Sequence, residues 1–247
     1  VDAFEAALAG RVPENTLLSH DLFEGIHART ALATDIELFE DYPSRYLVHA
    51  FRQHRWARGD WQLLPWLAPR VPAAGGRVAN AMPASGRWKL LDNLRRSLVA
   101  PALVLLLFIG WAVLPATAAL WMGLAGFVLG FPLLSGLAGS LLHLPRAADL
   151  PGYLRGLRDD LLLGCARTLF WGALLAHQAT IMVDAVVRTL ARLFVTRRRL
   201  LEWVTAAQAE HRLDTGLAAT WTAMWPTTSL ALAGLALVVW RAPANLS

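Results

Sequence analysis

The sequence predicts the end of an α/β domain followed by mainly α-helical transmembrane and interfacial segments. Residues 1–64 carry extended and helical patterns in the order strand–helix–strand–helix, which is typical of α/β architecture. Residues 97–142 contain no charged side chain over 46 positions, and one membrane span needs roughly 20 apolar residues. Across all 247 residues, 56% are hydrophobic and 17% are charged, a balance that is typical of a membrane protein.

The formal net charge of +5 indicates two uses of positive charge in so apolar a chain. Arg and Lys favour the cytoplasmic flanks of membrane helices, and they also attract anionic substrates. The sequence has no basic stripe with interleaved aromatic residues and no nucleic-acid-binding module, so we expect no nucleic-acid partner. Its single cysteine excludes an internal disulfide.

Caps and local patterns give the elements of residues 1–64 in order. The first three are a helix from Asp2 to about Leu8, ended by Gly10; a strand-like run, Thr16–Ser19; and a helix from about Leu22 to Leu32. An extended segment, Ala33–Phe39, and a basic helix over 45–58, capped by Ser44 and ended by Gly59, follow. Residues 65–87 contain four Pro and three Gly, which predicts a linker or flexible loop.

The apolar part of the chain begins after a short amphipathic segment, Trp88–Arg96. Two helices, about 97–114 and 117–142, joined by a tight turn at Pro115, form a transmembrane hairpin whose basic flanks predict both ends on the cytoplasmic side. Thr168–Val183 is uncharged but only 16 residues long, and its basic C-terminal flank favours a helix or helix pair along the cytoplasmic interface.

Thr215–Trp240 is uncharged over 26 residues and is long enough to span. The sequence therefore predicts three spans, with a fourth expected beyond Ser247. The predicted organisation is an α/β domain end (1–64), a linker and amphipathic segment (65–96), a transmembrane hairpin (97–142), cytoplasmic or interfacial helices (143–214), a transmembrane helix (215–240) and a tail (241–247).

The basic helix carries residues suited to a phosphate and a sugar. Arg52, Arg55 and Trp56 share one face at 100° per residue. Arg binds phosphate oxygens through planar, charged forks, and Trp offers a flat apolar surface for a sugar ring. Asp21 stands at the end of a strand-like run and opens a helix, where α/β domains present catalytic groups. A base, a diphosphate clamp and a sugar platform together predict transfer of a sugar from a nucleotide donor.

Each of these residues also has a structural alternative. A basic helix with Trp beside a membrane segment can be an interfacial anchor. Asp21 can be an N-cap, and Glu24 a capping-box partner or a solvated side chain. His177 and Asp184 fit interfacial polar groups better than ligands. The sequence has no metal-ligand spacing such as His-x-x-x-His and no Asp-x-Asp pair that would hold a metal–nucleotide.

Three motifs carry a resemblance to a known family. Ser19-His20-Asp21, Glu40-Asp41-Tyr42-Pro43 and Arg52-Gln53-His54-Arg55-Trp56 precede the spans in the same order as in processive, membrane-embedded family 2 glycosyltransferases. The sequence most resembles the cyclic β-1,2-glucan synthases, through Pro13–Gly25, Arg55–Gln62 and Arg197–Trp203. It departs from the general motifs in two places: Ser19-His20 replaces Thr-Glu, and Arg52 replaces the Gln of Gln-x-x-Arg-Trp.

The resemblance implies the C-terminal part of a nucleotide-sugar glycosyltransferase domain, joined to part of its membrane anchor. It implies inverting transfer from UDP-glucose to a growing glucan chain, with Asp21 as the general base. The implied ligands of the donor diphosphate are Arg52, Arg55 and Arg58, and those of the acceptor are Trp56, Asp60 and Trp61. A divalent metal, Mg²⁺ or Mn²⁺, is expected for the whole enzyme, with its ligands outside this chain.

The resemblance also implies a cellular location and a longer polypeptide. We expect a multi-pass protein of the bacterial inner membrane, with the catalytic part cytoplasmic and the lipid bilayer as a partner. We expect an internal piece, lacking an N-terminal nucleotide-binding half and a C-terminal carbohydrate-active domain, and inactive by itself. The alternatives are a synthase of β-1,3- or β-1,4-glucan, or a non-enzymatic transport or scaffold module.

Overall fold

The computed structural model describes residues 2–17, 20–39, 42–114, 117–142, 150–202 and 216–241. The chain divides into two compact units. The first unit comprises Val1–Val99 and Thr180–Ala223, and the second unit comprises Ala100–Ala179 and Met224–Ser247.

Helices dominate the described part of the chain. They are α1 (Asp2–Leu8), α2 (Asp21–Ala28), α3 (Tyr46–Gln62), α4 (Ala84–Ala112), α5 (Ala118–Leu142), α6 (Leu150–Leu190) and α7 (Leu217–Arg241). A 3₁₀ turn, Leu64–Leu67, follows α3, and a π-helical turn, Ala191–Thr196, continues α6. The strands β1 (Arg70–Ala73) and β2 (Gly76–Ala79) form an antiparallel hairpin, with Val71 opposite Val78.

The core of the first unit forms where the sequence predicts a linker. Phe23 of α2 is 1% exposed and meets the Trp66 ring edge-on, with 5.4 Å between ring centroids. Val71 and Met82 are buried in the same cluster. The prediction of a flexible loop over 65–87 is therefore wrong. Pro and Gly serve here to form a 3₁₀ turn and a hairpin turn, rather than an unstructured connection.

The side chain of Asn80 fixes this segment. Its Nδ2 donates to the carbonyls of Trp66, at 2.8 Å, and Ala68, at 2.9 Å, and its Oδ1 accepts from the Met82 amide at 2.9 Å. These bonds satisfy backbone groups that a turn would otherwise leave unpaired. They hold Trp66 and Met82 in the core.

The strands predicted for the α/β domain are not present in the described residues. Ala33–Phe39 is irregular, and the Leu38 and Phe39 side chains are 87% and 91% exposed. Thr16 lies in a turn and Leu17 is irregular, while Leu18 and Ser19 lie outside the described residues. A short apolar run becomes a strand only when another strand pairs with it. The mainly helical character is confirmed; the α/β domain is not.

Of the two helices near the N-terminus, α1 agrees with prediction at both ends and α2 only at its start. The predicted helix from Asp2 to Leu8 is α1, and Gly10 beyond it has φ +71°. Helix α2 ends at Ala28 rather than Leu32, because Arg29 adopts a left-handed conformation, with φ 58°.

The basic helix is longer than predicted. It begins at Tyr46, with Arg45 rather than Ser44 at the N-cap, and it runs through Gly59 to Gln62. Gly in a helix interior costs about 1 kcal/mol relative to Ala. Hydrogen bonds from the side chains of the last turn to other elements offset this cost; their partners are His20 and Asn93 for Asp60, Ser97 for Trp61, and the Leu200 carbonyl for Gln62.

Two helices, α4 and α5, occupy the segment predicted as a transmembrane hairpin. Helix α4 begins at Ala84, so it incorporates the amphipathic segment predicted over 88–96. In the second unit, Gly110 of α4 lies against Trp121 of α5 so closely that an added Cβ would be 2.5 Å from the indole Cγ.

The structure joins residues 150–190 into one continuous helix. Four described helices are long and apolar enough to cross a membrane: α4, α5, α6 with its π-helical turn, and α7. This is one more than the three spans predicted within the chain, and α7 corresponds to the span predicted over 215–240. The placement of 143–214 along the interface stays a prediction.

Candidate active site

Helices α2, α3 and α4 of the first unit line an open cavity of about 580 Å³. The predicted site residues Asp21, Arg55, Trp56 and Asp60 all line it. The remaining lining residues are His20, Leu22, Gln53, Ala57, Gly59, Asn93, Arg96, Ser97 and Met182. Arg52, Arg58 and Trp61 do not line the cavity. The structure thus unites the predicted base with one predicted arginine and the predicted sugar platform.

Asp21 is the first residue of α2 and is exposed. The N-cap is His20, so the alternative role of Asp21 as N-cap is wrong. The His20 amide donates to Glu24 Oε1 at 3.1 Å, four positions along the chain, and the His20 side chain makes no cap bond, so Glu24 is not the partner of a capping box that begins at Asp21. Within the described part of the chain, no hydrogen bond or ion pair involves the Asp21 carboxylate. This carboxylate is therefore available to accept a proton from a molecule in the cavity.

Arg55 holds its charge in a partly buried, cationic setting. Burial and the nearby Arg52 guanidinium both lower the pKa of Arg55 below its ordinary value. A bound anion would have the opposite effect, because an opposite charge favours the ionised form. The arrangement therefore favours anion binding at Arg55.

Arg52 and Trp56 lie together on the same face of α3, as their spacing predicts. The Arg52 guanidinium carbon is 4.5 Å from the centroid of the Trp56 ring, a cation–π contact. The Trp56 side chain is 50% exposed. One part of the indole thus contacts Arg52, and another part faces the cavity.

Arg58 does not line the cavity, and its charged neighbours lie near the end of α6 and in the segment that follows it. Burial lowers the pKa of Arg58, and so do Arg192 and Arg188, while Glu202 and Asp184 raise it. The three arginines predicted to bind one diphosphate therefore do not form a single cluster. Arg55 alone among them lines the cavity.

Asp60 is held by two side chains from other elements. Its Oδ1 accepts from His20 Nε2 at 3.2 Å and from Asn93 Nδ2 at 2.9 Å. Trp61, which lies next to it, donates its Nε1–H to Ser97 Oγ at 2.8 Å. The last turn of α3 is thereby fastened both to α2 and to α4.

Sequence reasoning missed several residues of the cavity, chiefly His20, Asn93 and Arg96. Asn93 and Arg96 are on α4, more than 30 positions from α3, and no local periodicity connects segments so far apart. Arg96 also forms an ion pair with Asp92 at 2.7 Å. For His20 a signal existed, because it replaces the Glu of the family motif directly before Asp21.

A second network joins the other side of α3 to α6 within the first unit. His54 Nε2 is 2.8 Å from Asp184 Oδ2, and Arg188 Nε donates to the Asp184 carboxylate at 2.7 Å. Burial, together with Arg58 and Arg188, lowers the pKa of His54, and the hydrogen bond and charge of Asp184 oppose this shift. Asp184 thus serves as a partner for α3.

The arginine-rich segment after α6 is part of the first unit and contacts the end of α3. Arg192 pairs with Glu202 at 2.7 Å and donates to the Arg199 carbonyl at 3.0 Å, and Gln62 Nε2 donates to the Leu200 carbonyl at 2.7 Å. Trp203 lies outside the described residues. Over the ranges that the structure describes, no group of three or more His, Cys, Asp or Glu side chains could hold a metal ion.

The chain is similar in sequence to a known protein. No protein-family model matches the chain. Over 242 residues, or 96% of its length, the chain is 44% identical to the cyclic beta-(1,2)-glucan synthase NdvB of Rhizobium meliloti (strain 1021). The chain spans only 8% of the length of that synthase. The resemblance to the cyclic β-1,2-glucan synthases, inferred from Pro13–Gly25, Arg55–Gln62 and Arg197–Trp203, is thereby confirmed.

Proposed function

We propose, because the chain is related to a cyclic β-(1,2)-glucan synthase, that it forms the acceptor side of a glucosyltransferase active site. The reaction is inverting transfer of glucose from UDP-glucose to the growing glucan chain. The observation that carries this proposal is the cavity shared by Asp21, Arg55 and Trp56, since a base, a cation and an aromatic platform are what such a transfer requires.

In this reaction Asp21 acts as the general base. Its carboxylate accepts the proton of the acceptor 2-hydroxyl while the hydroxyl oxygen attacks the anomeric carbon of the donor glucose. The bond from that carbon to the diphosphate oxygen breaks, and UDP leaves with the electron pair. Attack from the face opposite UDP inverts the anomeric configuration. The absence of a protein partner for Asp21 among the described residues supports this role.

Arg55 stabilises the negative charge that develops on the departing UDP. Its position on the cavity wall and the neighbouring Arg52 support this assignment. Arg96 lines the same cavity and adds a second cation. Arg58 is the least supported of the predicted phosphate ligands, because its charged neighbours belong to the segment 184–202.

Trp56 stacks on the acceptor sugar and orients its hydroxyl for attack. Its half-exposed indole supports this role. Asp60 binds the acceptor through Oδ2, because His20 and Asn93 both bond to Oδ1. Trp61 contributes to the acceptor side through its hydrogen bond to Ser97. The partners are UDP-glucose, the glucan chain and the lipid bilayer, with the site on the cytoplasmic face of a bacterial inner membrane.

A divalent metal, Mg²⁺ or Mn²⁺, would neutralise the donor diphosphate in the whole enzyme. The described residues of this chain do not offer a suitable set of ligands. We therefore propose that its ligands belong to other parts of the whole enzyme.

The test is the substitution Asp21→Asn in the complete gene product. Membranes that contain it receive UDP-[¹⁴C]glucose, and the glucan formed is measured per molecule of protein. We expect turnover to fall by about 10²–10⁴-fold, the usual contribution of general-base catalysis. Binding of UDP, measured separately, stays within about twofold because no donor contact is removed.

Asp35→Asn is the matched control, because Asp35 lies in an exposed turn and does not line the cavity. Near-normal glucan synthesis by Asp21→Asn would overturn the assignment of the base. Linkage analysis of the product separates a β-1,2-glucan from a β-1,3- or β-1,4-glucan. Failure of the unmutated protein to consume any nucleotide sugar would favour the transport or scaffold alternative.

A further inference from the structure

The residue that precedes the proposed base is tied to two other helices. The His20 imidazole lies with Nε2 at 3.2 Å from Asp60 Oδ1, and Asn93 Nδ2 donates to the same oxygen at 2.9 Å. The His20 side chain is only 14% exposed and that of Asp60 only 20%. This chain of three side chains joins the start of α2 to the last turn of α3 and to α4.

The chemistry of the three groups fixes the direction of their hydrogen bonds. An ionised carboxylate only accepts, so Nε2 of His20 carries the hydrogen that it donates to Asp60. A carboxylate partner of this kind selects the tautomer of a histidine and sets the orientation of its ring. Asn93 supplies a second donor to the same oxygen and so fixes the position of the Asp60 carboxylate.

The backbone of His20 is fixed as well. Its amide donates to Glu24 Oε1 at 3.1 Å, and its carbonyl accepts from the Glu24 amide at 3.0 Å. Gly59 lies beside the ring, where an added Cβ would be 3.5 Å from His20 Cδ2. Two residues beyond Asp21, Phe23 is buried in the core. Asp21 therefore stands between two anchored residues, His20 and Phe23.

We propose that His20 is a positioning residue for Asp21, acting through its hydrogen bond to Asp60 with support from Asn93. This inference rests on the proposed role of Asp21 as general base. The His20–Asp60 bond holds the start of α2 against α3 at the point where Arg55 and Trp56 line the same cavity. Without it, the carboxylate loses its fixed direction toward the acceptor hydroxyl, while the residues that bind the donor stay in place.

The experiment compares His20→Leu with His20→Gln in the complete gene product, assayed in membranes with UDP-glucose. The Leu side chain fills space but donates no hydrogen bond, whereas the Gln Nε2 restores a donor to Asp60. We expect His20→Leu to lower kcat by about 10–100-fold, the size of effect that a misplacement of about 1 Å can have. KM for UDP-glucose should change by less than about twofold, and His20→Gln should recover most of kcat.

Asn93→Ala is the second variant. It removes the hydrogen bond from Asn93 to the Asp60 carboxylate and leaves the His20–Asp60 bond in place. It should lower kcat by a smaller factor, again with KM unchanged, and it remains informative if His20→Leu does not accumulate in membranes. His27→Leu, on the same helix but outside the cavity, is the matched control and should retain normal kcat.

Three results would overturn the inference: a normal kcat in His20→Leu, equal loss in the Leu and Gln variants, or a loss expressed entirely in KM. An inactive Asp21→Asn combined with a fully active His20→Leu would reject the role of His20 alone. An unmutated protein without UDP-glucose turnover would instead reject the proposed function.

Discussion

At the scale of single residues, Trp56 combines a large apolar surface with half exposure, beside a guanidinium. A ring in this position gains little from burial in the protein, so its surface is available to a ligand. The same ring keeps Arg52 close, and Arg52 in turn raises the positive charge around Arg55.

Substitution of Trp56 tests the sugar platform. Trp56→Ala should reduce kcat/KM for the glucan acceptor by about 10–100-fold, corresponding to about 1.4–2.7 kcal/mol of transition-state stabilisation. Trp56→Phe should keep most of kcat/KM for the acceptor, because a flat aromatic ring remains. Glucan elongation by membranes at limiting acceptor is the measurement. Trp88→Ala is the control, because Trp88 is 66% exposed and lies outside the cavity; equal losses in both Ala variants would contradict the stacking role.

Helical spacing predicted which side chains of α3 share a face. Arg52, Arg55 and Trp56 differ by three and four positions, and the contact between Arg52 and Trp56 follows from that periodicity. The same reasoning could not join His20 to Asp60, since 40 positions separate them and only the packing of α2 on α3 brings them together. Nor could it separate Arg58 from Arg55, because the surroundings of Arg58 come from 184–202.

At the scale of elements, the segment between α3 and α4 shows where composition misleads. Its Pro and Gly residues indicate a break in regular structure, and they do end α3 and form a hairpin turn. Composition does not reveal that Trp66, Val71 and Met82 bury themselves against Phe23. The long apolar helices α5 and α7 were easier to predict, because a run of apolar residues long enough to cross a bilayer is rare in a water-soluble domain.

The contact between α4 and α5 leads to a prediction about Gly110. An added Cβ there would lie 2.5 Å from Cγ of Trp121. This atom joins the rigid indole ring to the Trp121 Cβ, so it cannot easily move away. Gly110→Ala should therefore destabilise the hairpin by about 1–3 kcal/mol, the usual cost of overpacking. The thermal midpoint of the purified protein in detergent measures the effect.

Gly126→Ala is the comparison variant on α5, because its added Cβ would meet nothing within 4 Å. Alanine is also the better helix former, so this variant should be as stable as the unmutated protein, or more so. Equal midpoints for the two variants would show that Gly110 and Trp121 are not in tight contact.

At the scale of the whole molecule, several histidines resist protonation in the folded state. Burial is the main cause of the lowered pKa of His27, His49 and His54, and nearby arginines add to it. In the unfolded chain each titrates near its ordinary pKa of about 6.5. Below that pH the unfolded state binds more protons than the folded state, so the free energy of unfolding falls as the pH falls.

We therefore expect the thermal midpoint to drop when the pH is lowered from 7 to 5.5. The range from pH 7 to pH 5.5 lies above that in which carboxylates titrate, so protonation of the histidines dominates the change in stability. His54→Gln should reduce the drop, since it removes one of the three groups. A midpoint that rises on acidification would contradict the predicted sign.

The uninterrupted length of α6 has a consequence for any arrangement in the bilayer. Its 41 residues amount to about 60 Å at 1.5 Å per residue, about twice the thickness of the hydrocarbon core. At an ordinary tilt, roughly half of the helix must stand among headgroups or in water. The sole cysteine of the chain, Cys165, is exposed on this helix. Its reactivity toward a membrane-impermeant maleimide therefore reports how deeply this stretch of α6 is immersed in lipid.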